Sequence, residues 1–347
     1  MPLLYFFIIL LILVLVHEYG HFQTAKWFKM KVDEFAFGFP PRLTAFWHKG
    51  TKFSFNLLPL GGYVKINGED GGDISSGSFA SKSYFAQIVV LVAGIVMNIL
   101  IAWVLFFGAM SLGMPQATND LNNADVLITN VAPNSVAEKS GIQAGDIVQK
   151  INYEGGELII TDPQTVTSAV RNGQPLEFIL TRAGQEVAIS IVPENIDGIN
   201  KIGIELQPVQ TNKLSFGKAV VASAKATIFY TQETFKGFIN LFAKLFTGQN
   251  VGDQVSGPVG IVKQVGQASD FGLAYLLSFA GILSINLAIL NLVPFPGLDG
   301  GRILFVILDA VTRKRISQKV LGFINAIGII ALLLLMILIT VKDIIRL

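Results

Sequence analysis

Cysteine is absent from this 347-residue chain, which excludes disulfide staples and any thiolate metal site. Charge is scarce as well. Asp, Glu, Lys and Arg make up 14% of the residues, against about 25% in ordinary soluble domains. The net charge of +2 gives no basis for nucleic-acid binding. Histidine is nearly absent too, with only His17, His21 and His48. What is there instead is apolar: 52% of the chain is hydrophobic, a balance that points to a membrane.

Four stretches approach or exceed the roughly 20 mainly apolar residues needed to cross a bilayer. Pro2 to Val16 carries no charge and runs on into His17-Glu18-Tyr19-Gly20-His21. Gln87 to Met114 has no charge, Phe271 to Pro296 is similar, and Val320 to Val341 is apolar apart from Asn325 and Thr340. The first stretch lacks the basic leading region and the small-residue cleavage site of a signal peptide, so it is expected to be retained as a span. Lys and Arg cluster between the first two spans (Lys26 to Lys82) and between the last two (Arg302 to Lys319). Both basic loops are therefore expected in the cytoplasm, with both termini and the long central segment outside.

That central segment reads as a soluble insertion. Val126 to Val131, Asp146 to Ile151, Leu176 to Thr181 and Glu186 to Pro193 are short β-rich runs separated by Gly, Asn and Pro turns, with short helices at Ser135 to Lys139 and Pro163 to Asn172. Ser135-Val-Ala-Glu-Lys-Ser-Gly-Ile-Gln-Ala-Gly-Asp146 resembles the helix-turn-strand signature of a PDZ domain, a module that receives an extended peptide at a sheet edge. Lys213 to Phe246 is apolar, but Lys218, Lys225, Glu233 and Lys236 fall in one helical stripe, so an amphipathic helix at the membrane surface is expected rather than a fifth span. The expected domains are 1–121 (two spans with a cytoplasmic β region), 122–209 (PDZ), 210–269 (surface helix and linker) and 270–347 (two spans).

Chemistry concentrates at two places. His17 and His21 are four residues apart, which puts both imidazoles on one helical face and suits two ligands of one zinc ion. Glu18 is offset by about 100° and is placed to act as general base on a metal-activated water. At 1.5 Å per residue His17 lies roughly 20 Å along the first span, near its cytoplasmic end. Ionisable groups at that depth are expensive and usually functional. The second place is Asn291-Leu-Val-Pro294-Phe-Pro296-Gly-Leu-Asp299-Gly300-Gly301 at the end of the third span. Its prolines break the helix and its glycines permit close backbone approach. Asp299 there is the candidate third ligand. His48 reads as an ordinary loop histidine.

The pairing of His-Glu-x-x-His with Asn-x-x-Pro-x-Pro-x-Leu-Asp-Gly-Gly resembles the site-two protease family, and the order of parts resembles its RseP-type bacterial members. Phe35-Ala-Phe-Gly-Phe-Pro resembles the family's glycine-containing loop, and Leu60-Gly61-Gly62-Tyr63-Val64-Lys65 its membrane re-entrant β hairpin. Ala93-Gly94-Ile-Val-Met-Asn98 is similar to a second-span motif, with Ile95 where proline is usual, and Gly257-Pro258-Val259-Gly260-Ile261 resembles the lead into the third core helix. RseP-type members carry two tandem PDZ domains, and this chain has room for one.

The resemblance implies a multi-pass α-helical membrane protein with four transmembrane helices, a re-entrant β hairpin and an inserted extracytoplasmic PDZ domain. It implies zinc held by His17, His21 and Asp299, Glu18 as base, and Asn286 and Asn291 holding an unwound substrate. Cleaving a transmembrane helix requires local unwinding, and an unwound strand needs backbone partners. Lys52 to Leu58, with alternating Phe53, Phe55 and Leu57, offers such an edge, with the turn expected at Pro59, Gly61 and Gly62. The expected partners are single-pass membrane proteins (anti-sigma factors and remnant signal peptides), the lipid bilayer of a bacterial plasma membrane, and an extracytoplasmic peptide at the PDZ domain. A non-enzymatic PDZ scaffold leaves the His, Glu and Asp without purpose. A divalent-metal transporter would show ionisable groups on several helices and paired repeats, which are missing.

Overall fold

The computed structural model describes residues 1–69, 74–118, 124–182, 184–196, 198–210, 213–249 and 256–345. Asn122, the expected first residue of the inserted domain, and Arg346 of the C-terminal tail lie outside the described residues. The chain divides into two compact units, one of residues 1–106, 223–266 and 279–347, the other of 107–222 and 267–278.

The first unit is built on long apolar helices. Four helices among the described residues are long and apolar enough to cross a membrane: α1 (Pro2–Trp27), α2 (Tyr84–Ser111), α7 (Leu273–Leu292) and α9 (Gln318–Ile345). Two further helices lie wholly or mostly in this unit. α8 (Asp299–Thr312) starts at the aspartate of the Leu-Asp-Gly-Gly run, and α6 (Pro258–Asp270) takes a cap from a distant residue, the Asp343 carboxylate accepting from the Gly260 amide at 2.8 Å. α5 (Phe216–Phe246) is a single helix of 31 residues that does not qualify as a span. Its Ala226, Tyr230 and Phe238 pack on Ala102, Phe106, Ile285 and Ile289, while Ile228, Phe229, Phe235 and Ile239 stay exposed.

Between α1 and α2 the chain forms β1 (Val32–His48) and β2 (Thr51–Ile66). The turn expected at Pro59, Gly61 and Gly62 lies instead at Lys49-Gly50, whose φ angles of 47° and 76° suit a tight hairpin. Pro59 to Gly61 falls between two ladders inside β2. Residues 42–48 pair with 51–56, and then Gly62 to Ile66 pairs with Phe37 back to Val32. Residues 34–37 are thus paired twice, with 62–65 and with 52–55. Proline has no amide to give a ladder, and Gly61 sits at φ 145°, so the strand changes partner there. One face of this sheet is aromatic: Phe53 contacts Phe22, Phe35 and Phe46, and Phe55 stacks on Phe37 at 4.6 Å. The other carries Ser54 and Asn56, buried polar groups that bond within the sheet, Asn56 to the Gly38 carbonyl at 2.9 Å and Ser54 donating to Glu34, and at the start of β2 the buried Thr51 hydroxyl donates to the Val32 carbonyl at 3.0 Å. Together these satisfy groups that burial would otherwise penalise.

The second unit holds a seven-stranded antiparallel sheet. Its strands are β3 (Gln116–Ala117), β4 (Asp125–Val131), β5 (Ile147–Tyr153), β6 (Gly156–Ile159), β7 (Leu176–Arg182), β8 (Gln185–Ile191) and β11 (Ile204–Gln210), in spatial order β3-β11-β4-β5-β7-β8 with β6 on β5. α3 (Val136–Lys139) links β4 to β5, α4 (Pro163–Arg171) links β6 to β7, and β9 (Glu194–Ile196) with β10 (Ile199–Lys201) forms a separate hairpin. The four short strands and two short helices expected from the sequence are present within a residue or two. The core is Val126, Ile128, Ile151, Phe178 and Leu180, all fully buried with their neighbours, each contributing about 1.5–3 kcal/mol of burial. Asp146, wholly buried, accepts from Arg182 at 2.7 Å through two nitrogens and from the Gln143 amide at 2.9 Å, which fixes the turn into β5.

Candidate active site

The site lies in the first unit. α1 brings His17 and His21 onto one face, both 7% exposed, with rings 4.7 Å apart and nearly perpendicular. Their Nε2 atoms lie 3.1 Å from each other. Each also faces Asp299 Oδ2, at 3.0 Å from His17 and 3.2 Å from His21. No other groups of this kind among the described residues converge in a possible metal cluster.

The triangle formed by these three atoms fits a metal ion. Zinc ligands at about 2.0 Å in a tetrahedron stand about 3.3 Å apart, close to the separations observed. The chemistry of the atoms says the same. His21 Nδ1 donates to the Val90 carbonyl at 2.8 Å, so the neutral ring presents a lone pair at Nε2. Asp299 Oδ2 is buried with no hydrogen-bond donor. Lone pairs gathered in a buried place repel one another unless a cation sits among them.

Asn98 of α2 sets the other imidazole. Its amide lies 3.3 Å from His17 Nδ1, and its Oδ1 has no partner when Nδ2 faces the ring. Rotating the amide gives Oδ1 the Nδ1 proton and leaves Nε2 as a lone pair, so one turn satisfies both groups. Asn98 is itself held, because its carbonyl accepts from Ser284 of α7 at 2.7 Å.

Small residues make this convergence possible. A Cβ on Gly20 would stand 2.6 Å from the Ala93 carbonyl oxygen, so α1 and α2 cross in near contact there. A Cβ on Gly94 would overlap His21 Nε2 and lie 2.7 Å from His17 Cε1. On the opposite side the chain leaves α7 at Leu292, folds through Val293 to Leu298 and re-enters a helix at Asp299. Side chains at Gly300 or Gly301 would overlap the carbonyls of Leu292, Val293 and Phe295, so only glycine lets the loop fold down on α8. Asp299 falls in the first turn of α8, where the helix dipole favours an anion.

Glu18 points to the sheet. Its Oε2 accepts from the Val64 amide at 3.0 Å. α1 packs against the strand at Gly61 and Gly62: a Cβ at Gly62 would lie 2.6 Å from the Ala36 carbonyl oxygen and a tight 3.2 Å from Leu15, while one at Gly61 would make ordinary contact with Val14 at 3.5 Å. A cavity of about 380 Å³ opens at this place, lined by His17, Glu18, His21, Tyr63, Asn98, Asn291 and Asp299, together with Glu69 and Arg302.

Of the residues singled out in the sequence, His17, Glu18, His21, Asp299 and Asn291 come together at this cavity. Gly61 and Gly62 lie just before its wall. Asn286 is half-buried on α7, about 140° round the helix from Asn291, and is not among the lining residues. Phe53 and Phe55 belong to the aromatic face of the sheet rather than to the cavity. His48 closes the Lys49-Gly50 hairpin opposite Thr51 and stays apart. Asn98, Gly94, Val64, Glu69 and Arg302 are contributors that spacing alone did not single out.

Comparison with known proteins gives the family of the chain. The chain is 35% identical over 336 residues to a Clostridium perfringens protein named "Putative zinc metalloprotease", covering 96% of this chain and 95% of that one. It is 30% identical to the zinc metalloprotease RasP of Oceanobacillus iheyensis, covering 97% of each. The family model described as Peptidase family M50 matches residues 5–335. The chain therefore belongs to Peptidase family M50, the site-two protease family, and is a metallopeptidase.

Proposed function

We propose that this chain is a zinc endopeptidase that cuts single-pass membrane proteins within or near their spanning helix, with His17, His21 and Asp299 as the zinc ligands and Glu18 as the general base. The observation that carries the reading is the approach of His17 Nε2, His21 Nε2 and Asp299 Oδ2 to within 3.0–3.2 Å of one another on helices otherwise built from apolar residues. When bound, zinc supplies Lewis-acid polarisation of the scissile carbonyl and makes water acidic enough to be deprotonated near neutral pH.

The protein's own groups do the rest. Asn98 and the Val90 carbonyl fix the two imidazoles at Nδ1. Glu18 takes a proton from the attacking water at a carboxylate oxygen and hands it to the leaving amine nitrogen. The Val64 amide orients that carboxylate. The edge of β2 at Gly62 to Ile66 lies beside Glu18 and is the natural place for an unwound substrate strand, with Asn291 in the lining of the same cavity. Phe53 and Phe55 support this edge from within the sheet rather than touching substrate. Asn286, off the cavity, is assigned to packing on α7 or to substrate held farther along.

In the same reading the seven-stranded unit is a PDZ domain outside the cytoplasmic face, receiving an extended peptide. The basic loops lie in the cytoplasm, and β1 with β2 is the re-entrant hairpin. Resemblance to RseP-type proteins supports anti-sigma factors and remnant signal peptides as substrates, in a bacterial plasma membrane. The test is zinc content together with cleavage of a single-span model peptide by the purified chain in detergent, native, chelated and re-loaded. Zinc near one per chain, with activity lost on chelation and regained with zinc, supports the reading. Cleavage that persists without metal ends it.

A further inference from the structure

Three stretches far apart in sequence meet where the long helices end. The loop of residues 77–82 leads into α2, and its Gly77 carbonyl accepts from the Lys31 amide at 2.8 Å. A Cβ at Gly77 would lie 3.9 Å from the Lys29 carbonyl oxygen, so the chain that leaves α1 runs against this loop. From another side Arg315, on the turn between α8 and α9, donates to the Ala80 carbonyl at 2.7 Å. The end of α1 at Trp27, the start of α2 at Tyr84, the end of α8 at Thr312 and the start of α9 at Gln318 therefore share one level.

This level is basic. Lys29, Arg313, Lys314, Arg315 and Lys319 are exposed there, and Lys82 is half-buried. Among the described residues none of these six is in an ion pair, whereas Lys31 beside them pairs with Asp33 at 3.2 Å. Like charges gathered without counter-ions repel, so the cluster calls for an anionic partner. The neighbouring rings say where that partner is. Trp27, the last residue of α1, and Phe85, the second of α2, are each 72% exposed. Exposed aromatic side chains at the ends of spanning helices mark the boundary between hydrocarbon and headgroups. Lys29 and Lys82 stand two and three residues from these rings, and their long stems carry the charge to the height of the lipid phosphates.

We propose that this patch is a docking surface for the headgroups of anionic phospholipids. Its place in the cytoplasmic leaflet rests on the reading of the basic loops given above. Clusters of about four to eight cations beside a spanning helix attract acidic lipids, each cation near the surface adding to the attraction. Three of the cations here sit on the turn that follows α8, the helix that starts at Asp299. A headgroup held there anchors the far end of the helix that carries this side chain.

In the test, the full chain is placed in vesicles of phosphatidylcholine and phosphatidylglycerol in equal amounts and extracted in mild detergent. The lipid that stays with it is then identified by mass spectrometry. Phosphatidylglycerol should be retained about fivefold or more over phosphatidylcholine. Both leaflets of such vesicles have the same composition, so the result stands whichever side the patch faces. Arg313→Gln combined with Lys314→Gln and Lys319→Gln should bring the ratio close to one. Arg313→Lys with Lys314→Arg and Lys319→Arg keeps the charge and should keep the excess. Lys139→Gln with Lys201→Gln, exposed cations of the second unit, should keep it as well. An equal ratio in the native chain would leave the patch to an acidic protein segment and overturns the proposal. An excess that survives the three glutamines overturns it too. So does an excess lost in inorganic phosphate but not in chloride of the same ionic strength, which would make the patch a site for free phosphate. If the glutamine variant fails to accumulate, salt decides on the native chain. An excess that persists in about 1 M sodium chloride, where the screening length is about 3 Å, overturns the proposal.

Discussion

A side-chain carbon on Gly94 would occupy the space now taken by Nε2 of His21. The second span thus leaves out a methyl group where the first span presents its imidazoles. Gly94→Ala should push both rings from their triangle with Asp299 and lower zinc affinity about 10–100-fold, the range for losing a group that orients a ligand. Zinc retained after dialysis against a competing chelator measures it. Gly217→Ala on α5, where an added carbon meets nothing within 4 Å, is the control and should bind zinc as the native chain does.

Glu18→Gln keeps an oxygen for the Val64 amide but cannot take a proton. Zinc content should stay native while cleavage of a single-span peptide falls about 10²–10⁴-fold, the usual contribution of a positioned base. Turnover within a few-fold of native would remove Glu18 from the chemistry.

Asn98 offers a test of which end of its amide faces His17. If Oδ1 accepts the Nδ1 proton, Asn98→Asp keeps that acceptor and should retain zinc, whereas Asn98→Ala should lose about 10–100-fold in affinity. Equal losses in the two variants would show that the amide nitrogen is the contact.

In the second unit, Asp162 caps α4, accepting from the amides of Gln164 and Thr165 at 2.8 and 2.9 Å and from the Thr165 hydroxyl at 2.5 Å. The Thr165 hydroxyl first, then the amides, hold its carboxyl below the usual aspartate range. A depressed native value means that its stabilisation is present above the unfolded value of 3.8 and is lost as pH falls through the lower folded one. Asp162→Ala should therefore cost about 1 kcal/mol near neutral pH, read as faster hydrogen exchange of the α4 amides. The difference from native should shrink in acid. A gap that stays constant down to strongly acidic pH would mean that the carboxylate charge contributes nothing to the cap.

Much of this architecture was legible because it is written in length and spacing. Four apolar runs near or above bilayer length became α1, α2, α7 and α9, and α5, which carries the charged stripe, is not among the described helices apolar enough to cross. His17 and His21 were found by their spacing, and Asp299 by the prolines and glycines that break the helix before it. What escaped was whatever depends on backbone atoms or on distant pairs. The Val90 carbonyl and Val64 amide carry no mark in their side chains, and Glu69 meets Arg302 across 233 positions. The double pairing of residues 34–37 escaped for another reason. Pro59, Gly61 and Gly62 have the composition of a turn, but the strand uses them to change partner, while the reversal sits on Lys49-Gly50. Asn286 and Asn291 look alike in sequence, yet a five-residue spacing sends them to different sides of α7.

The bond between Glu18 and the Val64 amide also sets a ruler. Along a strand, amides point outward only at every second residue, so a polypeptide laid on the Gly62 to Ile66 edge can shift its frame only by pairs of residues. Slippage by one would turn its bonding groups away from the edge. Where such a protease trims a substrate at more than one place, mass spectrometry should find fragments whose lengths differ by even numbers.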